Sequence, residues 1–263
     1  MTPADAWHRT ETGQGRPLVL LHGIGSSHEA WAPVIGRLAA SRRVIAFDLP
    51  GHGATAVPPR GTSLEVPGLA DQLAVQLEAL GIVEPVDLVG NSLGGWISLE
   101  AARRGRARSV VALCPAGLWT DRCPASTVRI FHLTRSLGRR WPGLAPRLLR
   151  SPLGRTALMW PFVGRPWRTP AAVAVEASGT LVRTPVFDDL LAALLPTRFT
   201  GGAAIEVPVT VAFGSRDRIL PRRSARSTLE LPTVKWVTLR GCGHVPMWDD
   251  PDLVVETILA GTA

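Results

Sequence analysis

The hydrophobic residues of this chain concentrate in six short runs, and each run is followed within two residues by glycine, proline or aspartate. Consecutive Val, Ile and Leu positions are typical of strands buried on both faces, as in a parallel sheet covered by helices. The runs comprise residues 17–21, 43–47, 86–89, 109–113, 207–213 and 235–239. The pattern therefore predicts six strands of a mostly parallel sheet.

The stretches that follow or separate these runs have helical spacing, with apolar residues at three- and four-residue intervals. They comprise residues 30–39, 68–80, 93–104 and 253–259. Asp249, Asp250 and Asp252 surround Pro251 and suit the start of the last helix, because carboxylates are favourable near the positive end of a helix dipole. The alternation of strand and helix predicts an α/β fold with a doubly wound sheet and right-handed crossovers.

One interval of about ninety residues, between Pro115 and Val207, breaks the alternation and has no convincing buried strand. A segment this long is not a loop, and three parts of it have helical spacing. These parts are residues 127–137, 171–182 and 187–195. We therefore predict a core formed by 1–117 and 204–263, and a helical cap formed by 118–203.

The most informative motif is Gly90-Asn91-Ser92-Leu93-Gly94, a G-x-S-x-G pattern that directly follows a predicted strand and directly precedes a predicted helix. In this context the glycines permit a strained turn that projects the serine hydroxyl from the end of the strand. The Leu93 N–H, at the helix start, can then point towards a developing oxyanion. We predict that Ser92 is a nucleophile.

A second oxyanion donor is expected from His22-Gly23-Ile24-Gly25, which follows an earlier strand, and the Ile24 N–H is the candidate. We expect the His22 ring to brace this loop by hydrogen bonding. The base is predicted to be His244, in the glycine-flanked segment after the last strand. The other histidines fit that role less well; they are His8, His28, His52 and His132.

A third group must hold the tautomer of the base and stabilise its protonated form. Asp217 follows the fifth apolar run and lies 125 residues after Ser92 and 27 before His244. The order Ser, Asp, His is the one expected for a serine on such an elbow. Asp121 is the alternative acid, and Asp48 is interpreted as a structural residue of its turn.

These motifs together resemble the α/β-hydrolase superfamily over nearly the whole chain. The matching segments, in chain order, are 22–25, 48–53, 90–94, 214–217 and 241–244. The resemblance implies the α/β-hydrolase fold and a serine hydrolase with an acyl-enzyme. A serine nucleophile argues against the haloalkane dehalogenases and epoxide hydrolases, which resemble this fold but use aspartate.

Within the superfamily, Asn91 before the nucleophile and Trp248 four residues after the base resemble the meta-cleavage-product C–C hydrolases. Val245 stands where those enzymes usually have tryptophan, and no arginine can be assigned to their cap arginine. Ester or thioester hydrolysis is therefore ranked first, C–C bond hydrolysis second, and a non-hydrolytic binding or scaffold protein third. Gly23, Gly25, Asn91 and Trp248 are expected to line the substrate pocket.

Charge is distributed unevenly along the chain. The predicted cap holds twelve arginines and four acidic residues, a formal charge of +8, whereas the remainder holds 17 basic and 17 acidic residues and is neutral. Two interpretations stay open: a solvated helical face, and guidance of an anionic or carrier-bound small-molecule substrate. The neutral core argues against nucleic acid as a partner.

The remaining composition narrows the expected setting of the protein. Three cysteines give neither a disulfide framework nor a metal-ligand spacing. The acyl-enzyme chemistry of a serine hydrolase implies no metal and no organic cofactor. No signal-like leader and no apolar run long enough for a membrane span is present. The sequence therefore predicts a cytoplasmic protein with no membrane span.

Overall fold

The computed structural model describes residues 6–228, 230–231 and 234–263 and contains one open sheet of seven strands in that part of the chain. The strands are β1 (Arg9–Thr12), β2 (Pro17–Leu21), β3 (Arg43–Phe47), β4 (Val86–Asn91), β5 (Ala107–Leu113), β6 (Val209–Gly214) and β7 (Lys235–Leu239). Their spatial order is β1-β3-β2-β4-β5-β6-β7. Neighbouring strands are parallel except for β1, which pairs antiparallel with β3. The α/β fold predicted from the apolar runs is confirmed.

Ten α-helices lie on and around this sheet in the described part of the chain. They are α1 (Ala32–Leu38), α2 (Val66–Ala79), α3 (Leu93–Arg103), α4 (Ala125–Arg140), α5 (Leu144–Leu149), α6 (Pro152–Met159), α7 (Ala171–Arg183), α8 (Phe187–Leu194), α9 (Arg222–Ala225) and α10 (Pro251–Gly261). Successive side chains of β2 point to opposite faces. Leu18 and Leu20 pack in the cluster formed with α1 and α10, whereas Val19 and Leu21 pack in the cluster formed with α2 and α3.

Both edge strands differ from the sequence expectation. β1 was not predicted, because its residues Arg-Thr-Glu-Thr are polar and mostly exposed. The prediction that 235–239 is a strand is right, but the prediction that it is buried on both faces is wrong. Lys235 and Trp236 are exposed, because among the described residues β7 pairs with β6 and no strand lies on its other side.

The interval between β5 and β6 contains α4 to α8, and we use the name cap for residues 118–203. The spacing of apolar residues predicted α4, α7 and α8, but α5 and α6 were missed. These two helices are short, and prolines interrupt their stretch of sequence; Ser151 caps α6 by accepting a hydrogen bond from the Gly154 N–H at 3.0 Å. The division of the chain into core and cap remains a prediction.

Within the described part of the chain, no helix combines the length and the apolar character needed to cross a bilayer.

Candidate active site

Ser92 occupies a strained turn between β4 and α3. Its backbone has φ 55° and ψ −113°, a conformation that non-glycine residues rarely adopt. The turn is tight on both sides of Ser92. A Cβ on Gly90 would overlap the Gly94 carbonyl, and a Cβ on Gly94 would overlap the Leu21 carbonyl of the neighbouring strand. The Ser92 N–H donates to the Leu113 carbonyl at 3.0 Å, and its own carbonyl accepts from the Ala116 N–H at 2.9 Å. These backbone contacts therefore hold Ser92 in its strained conformation.

His244 and Asp217 form a buried hydrogen-bonded pair, with 3.0 Å between Nδ1 and Oδ2. The other carboxylate oxygen of Asp217 accepts from the N–H groups of Ile219 and Leu220, at 2.9 and 3.0 Å. Burial opposes ionisation of Asp217, but His244, the backbone hydrogen bond and Arg226 outweigh it and lower the pKa of the carboxyl. An ionised carboxylate only accepts, so Nδ1 carries the proton and Nε2 is left free to act as a base. The alternative acid, Asp121, is exposed.

The segment 22–25 lies against Ser92 and is held by two histidine rings, those of His22 and His52. A Cβ built on Gly23 would lie 3.1 Å from the Ser92 Cβ. The His22 Nδ1–H donates to the Gly23 carbonyl at 2.8 Å, and its Nε2 accepts from the Leu49 N–H at 3.0 Å. His52 repeats this arrangement: its Nε2 accepts from the Gly25 N–H at 3.0 Å.

Burial keeps both rings neutral. It lowers the pKa of His22 to about 4, and together with the neighbouring His22 it lowers the pKa of His52 to about 3. A neutral ring with Nδ1 protonated can accept at Nε2, and protonation would remove that acceptor. The backbone next to Ser92 thus depends on two uncharged histidines.

The four residues expected to line the substrate pocket have different positions. Gly23, Asn91 and Trp248 line one cavity together with Ser92 and His244. The Asn91 side chain also has a positioning contact, because its Nδ2 donates to the His244 carbonyl at 2.9 Å.

Gly25 lies outside the lining of this cavity. It sits instead directly beneath the side chains of Leu181 and Phe187 in the cap. The expectation that Gly25 faces substrate is therefore not met, because cap side chains cover it. Ile24 lines the cavity, and Leu93, the first residue of α3, has an N–H without a partner inside its helix.

Asp249, which the sequence assigned to the start of the last helix, instead joins the cap to the His244 loop. Its Oδ2 accepts from the Gly243 N–H at 2.7 Å and from the Gly164 N–H at 2.8 Å. Its Oδ1 accepts from the Arg165 N–H at 2.7 Å. Burial raises the pKa of this carboxyl despite the three donors.

The neighbouring Asp250 caps the last helix, because its side chain accepts a hydrogen bond from the Leu253 N–H at 3.1 Å. The sequence Asp249-Asp250 before a helix gives no sign of which of the two carboxylates turns away from that helix.

The cavity has a volume of about 950 Å³ and lies between the core and the cap. Its core wall contains the proposed nucleophile and base. Its cap wall is mostly apolar, with Ile130, Phe131, Leu137, Trp141, Leu148 and Leu181 among the lining residues. The site can therefore accommodate a large hydrophobic group beside a serine and a histidine.

Two groups of ligand-type side chains lie close together in the described part of the chain. The first consists of Cys114 with Asp217 and His244, and the second of His8 and His28 around Asp48. The Asp48 carboxylate accepts from Nδ1 of both histidines at 3.0 Å and also from the His28 and Ala54 N–H groups. Asp48 thereby ties the N-terminal segment to its turn, as its structural interpretation predicts.

Comparisons with known proteins agree on one fold family. A model of the alpha/beta hydrolase family matches residues 18–257. The chain is 37% identical over 208 residues to epoxide hydrolase EphH of Mycobacterium tuberculosis, covering 72% of this chain and 91% of that protein. It is 30% identical to the pimeloyl-[acyl-carrier protein] methyl ester esterase of Aromatoleum aromaticum, covering 93% of this chain and 98% of that protein. The solved structure of a Thermogutta terrifontis esterase has a TM-score of 0.75 at 22% identity, covering 97% of this chain and 92% of that one.

Proposed function

Because this chain belongs to the alpha/beta hydrolase family, we propose that it is a serine hydrolase that cleaves an ester or thioester of a hydrophobic small molecule. The chain is a hydrolase, so a non-hydrolytic scaffold is not retained. One observation carries the finer proposal. Ser92 and His244 line the same cavity, and Nδ1 of His244 is hydrogen-bonded to the buried carboxylate of Asp217.

In the proposed reaction, the Ser92 hydroxyl gives its proton to Nε2 of His244 as its oxygen attacks the acyl carbon. The carbonyl oxygen becomes an oxyanion, which the N–H groups of Ile24 and Leu93 stabilise. The bond to the alcohol or thiol then breaks, and the leaving group takes the proton from His244. Water attacks the acyl-enzyme in the same way, releasing the acid and restoring Ser92.

Two features support a hydrophobic acyl or alcohol part in the substrate, with negative charge elsewhere. The cavity wall formed by the cap is mostly apolar. The same cap carries the whole net charge of the chain, which favours a substrate that is anionic or is bound to an acidic carrier. The relative from Aromatoleum aromaticum is named as an esterase of a carrier-bound acyl group, which supports this substrate class.

Epoxide hydrolysis, the activity named for the Mycobacterium tuberculosis relative, fits Ser92 poorly. An alkoxide of serine that opened an epoxide would form an ether. An ether has no carbonyl carbon for water to attack, so the product would stay on the enzyme. A serine at the elbow therefore favours acyl transfer.

C–C bond hydrolysis is the second candidate, favoured by Asn91 beside the nucleophile and by Trp248 in the cavity. We expect p-nitrophenyl esters of short and medium chain length to be hydrolysed faster than a 2-hydroxy-6-oxo-dienoate. The reason is that Val245 also lines the cavity and offers no polar group to the dienoate. A higher kcat/KM for the dienoate would reverse this ranking.

The decisive experiment is labelling with a fluorophosphonate probe, which forms a covalent bond with an activated serine. The wild-type chain should be labelled, and Ser92→Ala should not. The exposed cap residue Ser136 provides the matched control, since Ser136→Ala leaves the elbow intact. Labelling that persists in Ser92→Ala would rule out Ser92 as the nucleophile.

A further inference from the structure

Exposed apolar side chains are concentrated at the opening of the cavity. Six residues that line it are each between 42% and 60% exposed, and we call them the mouth: Leu133, Leu137, Trp141, Leu144, Leu148 and Trp160. They are half of the twelve large hydrophobic residues found exposed in the described part of the chain. Contiguous apolar surface of this kind marks a site of interaction.

The mouth is built from helix faces rather than from scattered residues. Leu133 and Leu137 are four residues apart on α4, and Leu144 and Leu148 are four apart on α5. Each pair therefore lies on one side of its helix. The two tryptophans follow the ends of α4 and α6, so the apolar side chains of three helices meet around one opening.

Arginines surround the mouth, and two of them stack on its tryptophans. The Arg140 guanidinium lies 5.9 Å from the Trp141 ring centroid, and that of Arg218 lies 4.9 Å from the ring of Trp160. Arg147 lies on α5 between Leu144 and Leu148. Among the described residues, neither Arg140 nor Arg147 has an ion-pair partner.

Acidic residues near the opening are fewer. Glu29 and Glu176 line the cavity and are both exposed. Glu176 pairs with Arg183 at 3.3 Å, and Glu29 lies 3.3 Å from the His28 ring. Asp188 pairs with Arg135 and Arg139. The rim of the opening is therefore positive overall.

We propose that the mouth docks on an anionic lipid bilayer, so that a lipophilic ester enters the cavity from the membrane. Tryptophan rings and leucines insert at the boundary between headgroups and acyl chains, and arginines pair with anionic headgroups. An acidic carrier protein would satisfy the arginines but not six exposed apolar side chains. The bilayer matches both. Docking itself is independent of the proposed ester hydrolysis, and only the entry of substrate rests on it.

The test is co-sedimentation of the full chain with vesicles of phosphatidylcholine alone or mixed with phosphatidylglycerol. Binding should require phosphatidylglycerol and weaken as salt is added. Each arginine near an anionic surface contributes roughly fivefold to partitioning. The double variant Arg140→Glu/Arg147→Glu should therefore weaken binding by at least roughly 25-fold. Trp141→Ser should weaken binding to the same vesicles without changing the net charge.

The matched control is Arg60→Glu/Arg240→Glu, which makes the same change in net charge at exposed positions of the core. This control should bind vesicles nearly as well as the wild-type chain. Docking is overturned if the control loses binding equally, if vesicles without phosphatidylglycerol bind equally, or if only an acidic carrier protein is bound. Fluorophosphonate labelling in the same samples separates the two proposals, because vesicle binding without labelling would refute only the serine mechanism.

Discussion

At the scale of single residues, His22 and His52 fix the backbone next to Ser92 although neither belongs to the proposed triad. Nε2 of His22 accepts a hydrogen bond from the Leu49 N–H of the neighbouring turn, and Nε2 of His52 accepts one from the Gly25 N–H. Both are buried and neutral. A neutral buried histidine makes stability depend on pH, because the unfolded chain binds its protons first.

We therefore expect the free energy of unfolding to decrease as the pH is lowered below about 6.5, the ordinary pKa of histidine. The folded-state pKa values, about 4 for His22 and about 3 for His52, lie below the unfolded value. Their contribution is complete above the unfolded pKa and is lost as pH falls towards the folded values. At pH 5 the loss from each ring is about 2 kcal/mol.

Urea unfolding at pH 7 and pH 5 measures this effect. His52→Gln removes one titrating ring, so its loss of stability between the two pH values should be about 2 kcal/mol smaller than that of the wild-type chain. His132→Gln, at an exposed position of the cap, should behave like wild type. An unchanged pH dependence in His52→Gln would contradict the prediction.

Asp217 carries a second prediction at this scale. Asp217→Asn should lower kcat for a p-nitrophenyl ester by orders of magnitude, because an amide no longer enforces the Nδ1–H tautomer of His244. KM should change little, since Asp217 lies behind the histidine rather than in the lining of the cavity. Asp121→Asn, at the exposed alternative acid, is the control. A larger loss of kcat in Asp121→Asn would identify Asp121, after β5, as the acid that orients His244.

The three proposed triad residues could be named from sequence because each follows a strand whose apolar run is easy to recognise. Asp249 could not, since its role comes from the packing of the cap segment on the His244 loop. Gly25 was misplaced for the same reason. A loop can be assigned to an edge of the sheet from sequence, but which side chains cover it depends on the path of the cap.

At the scale of elements, the cap segment 162–165 and the loop 241–245 form one unit. The Val245 N–H donates to the Phe162 carbonyl at 2.9 Å, and Asp249 accepts from both segments. The two backbones are so close that a Cβ on Gly243 would lie 2.6 Å from the Gly164 nitrogen. The position of His244 is therefore coupled to that of the cap.

Asp249→Asn should weaken this coupling. The amide has a single acceptor oxygen, so at least one of the three N–H groups is left facing an NH₂ group. We expect a loss of about 1–3 kcal/mol in the free energy of unfolding. A slower fluorophosphonate labelling of Ser92 should accompany it.

The control is Asp250→Asn, since asparagine caps helices as well as aspartate. Urea unfolding and the labelling rate should both stay close to wild type in this variant. If the two variants behave alike, Asp249 has no special part in joining the cap to the loop.

At the scale of the whole molecule, the net charge and the proposed catalytic residues lie in different parts of the chain. The neutral core holds Ser92, His244 and Asp217, whereas the cap holds the net charge of +8. Steering by such a cap acts mainly on the association rate of charged substrates. It weakens with salt, because the screening length falls to about 8 Å near physiological ionic strength.

We therefore expect kcat/KM for an anionic ester to fall with added salt more steeply than that for its neutral isostere. Arg140→Glu/Arg147→Glu should reduce this difference and leave labelling of Ser92 unchanged. Steady-state kinetics over a salt series measures both. Equal salt dependence for the two substrates would leave the arginines with no part in substrate choice.

The close approach of Gly164 to Gly243 also bears on how this enzyme can be recombined with its relatives. A foreign cap joined at residues 118 and 203 would place its own backbone against the His244 loop, where a Cβ on Gly243 would lie 2.6 Å from the Gly164 nitrogen. It would also have to present two backbone N–H groups to Asp249 in the positions that Gly164 and Arg165 occupy. The exchangeable module is therefore larger than the cap itself. It must include the C-terminal stretch from Gly241 to Asp249, so that the transplanted cap keeps the histidine loop on which it packs.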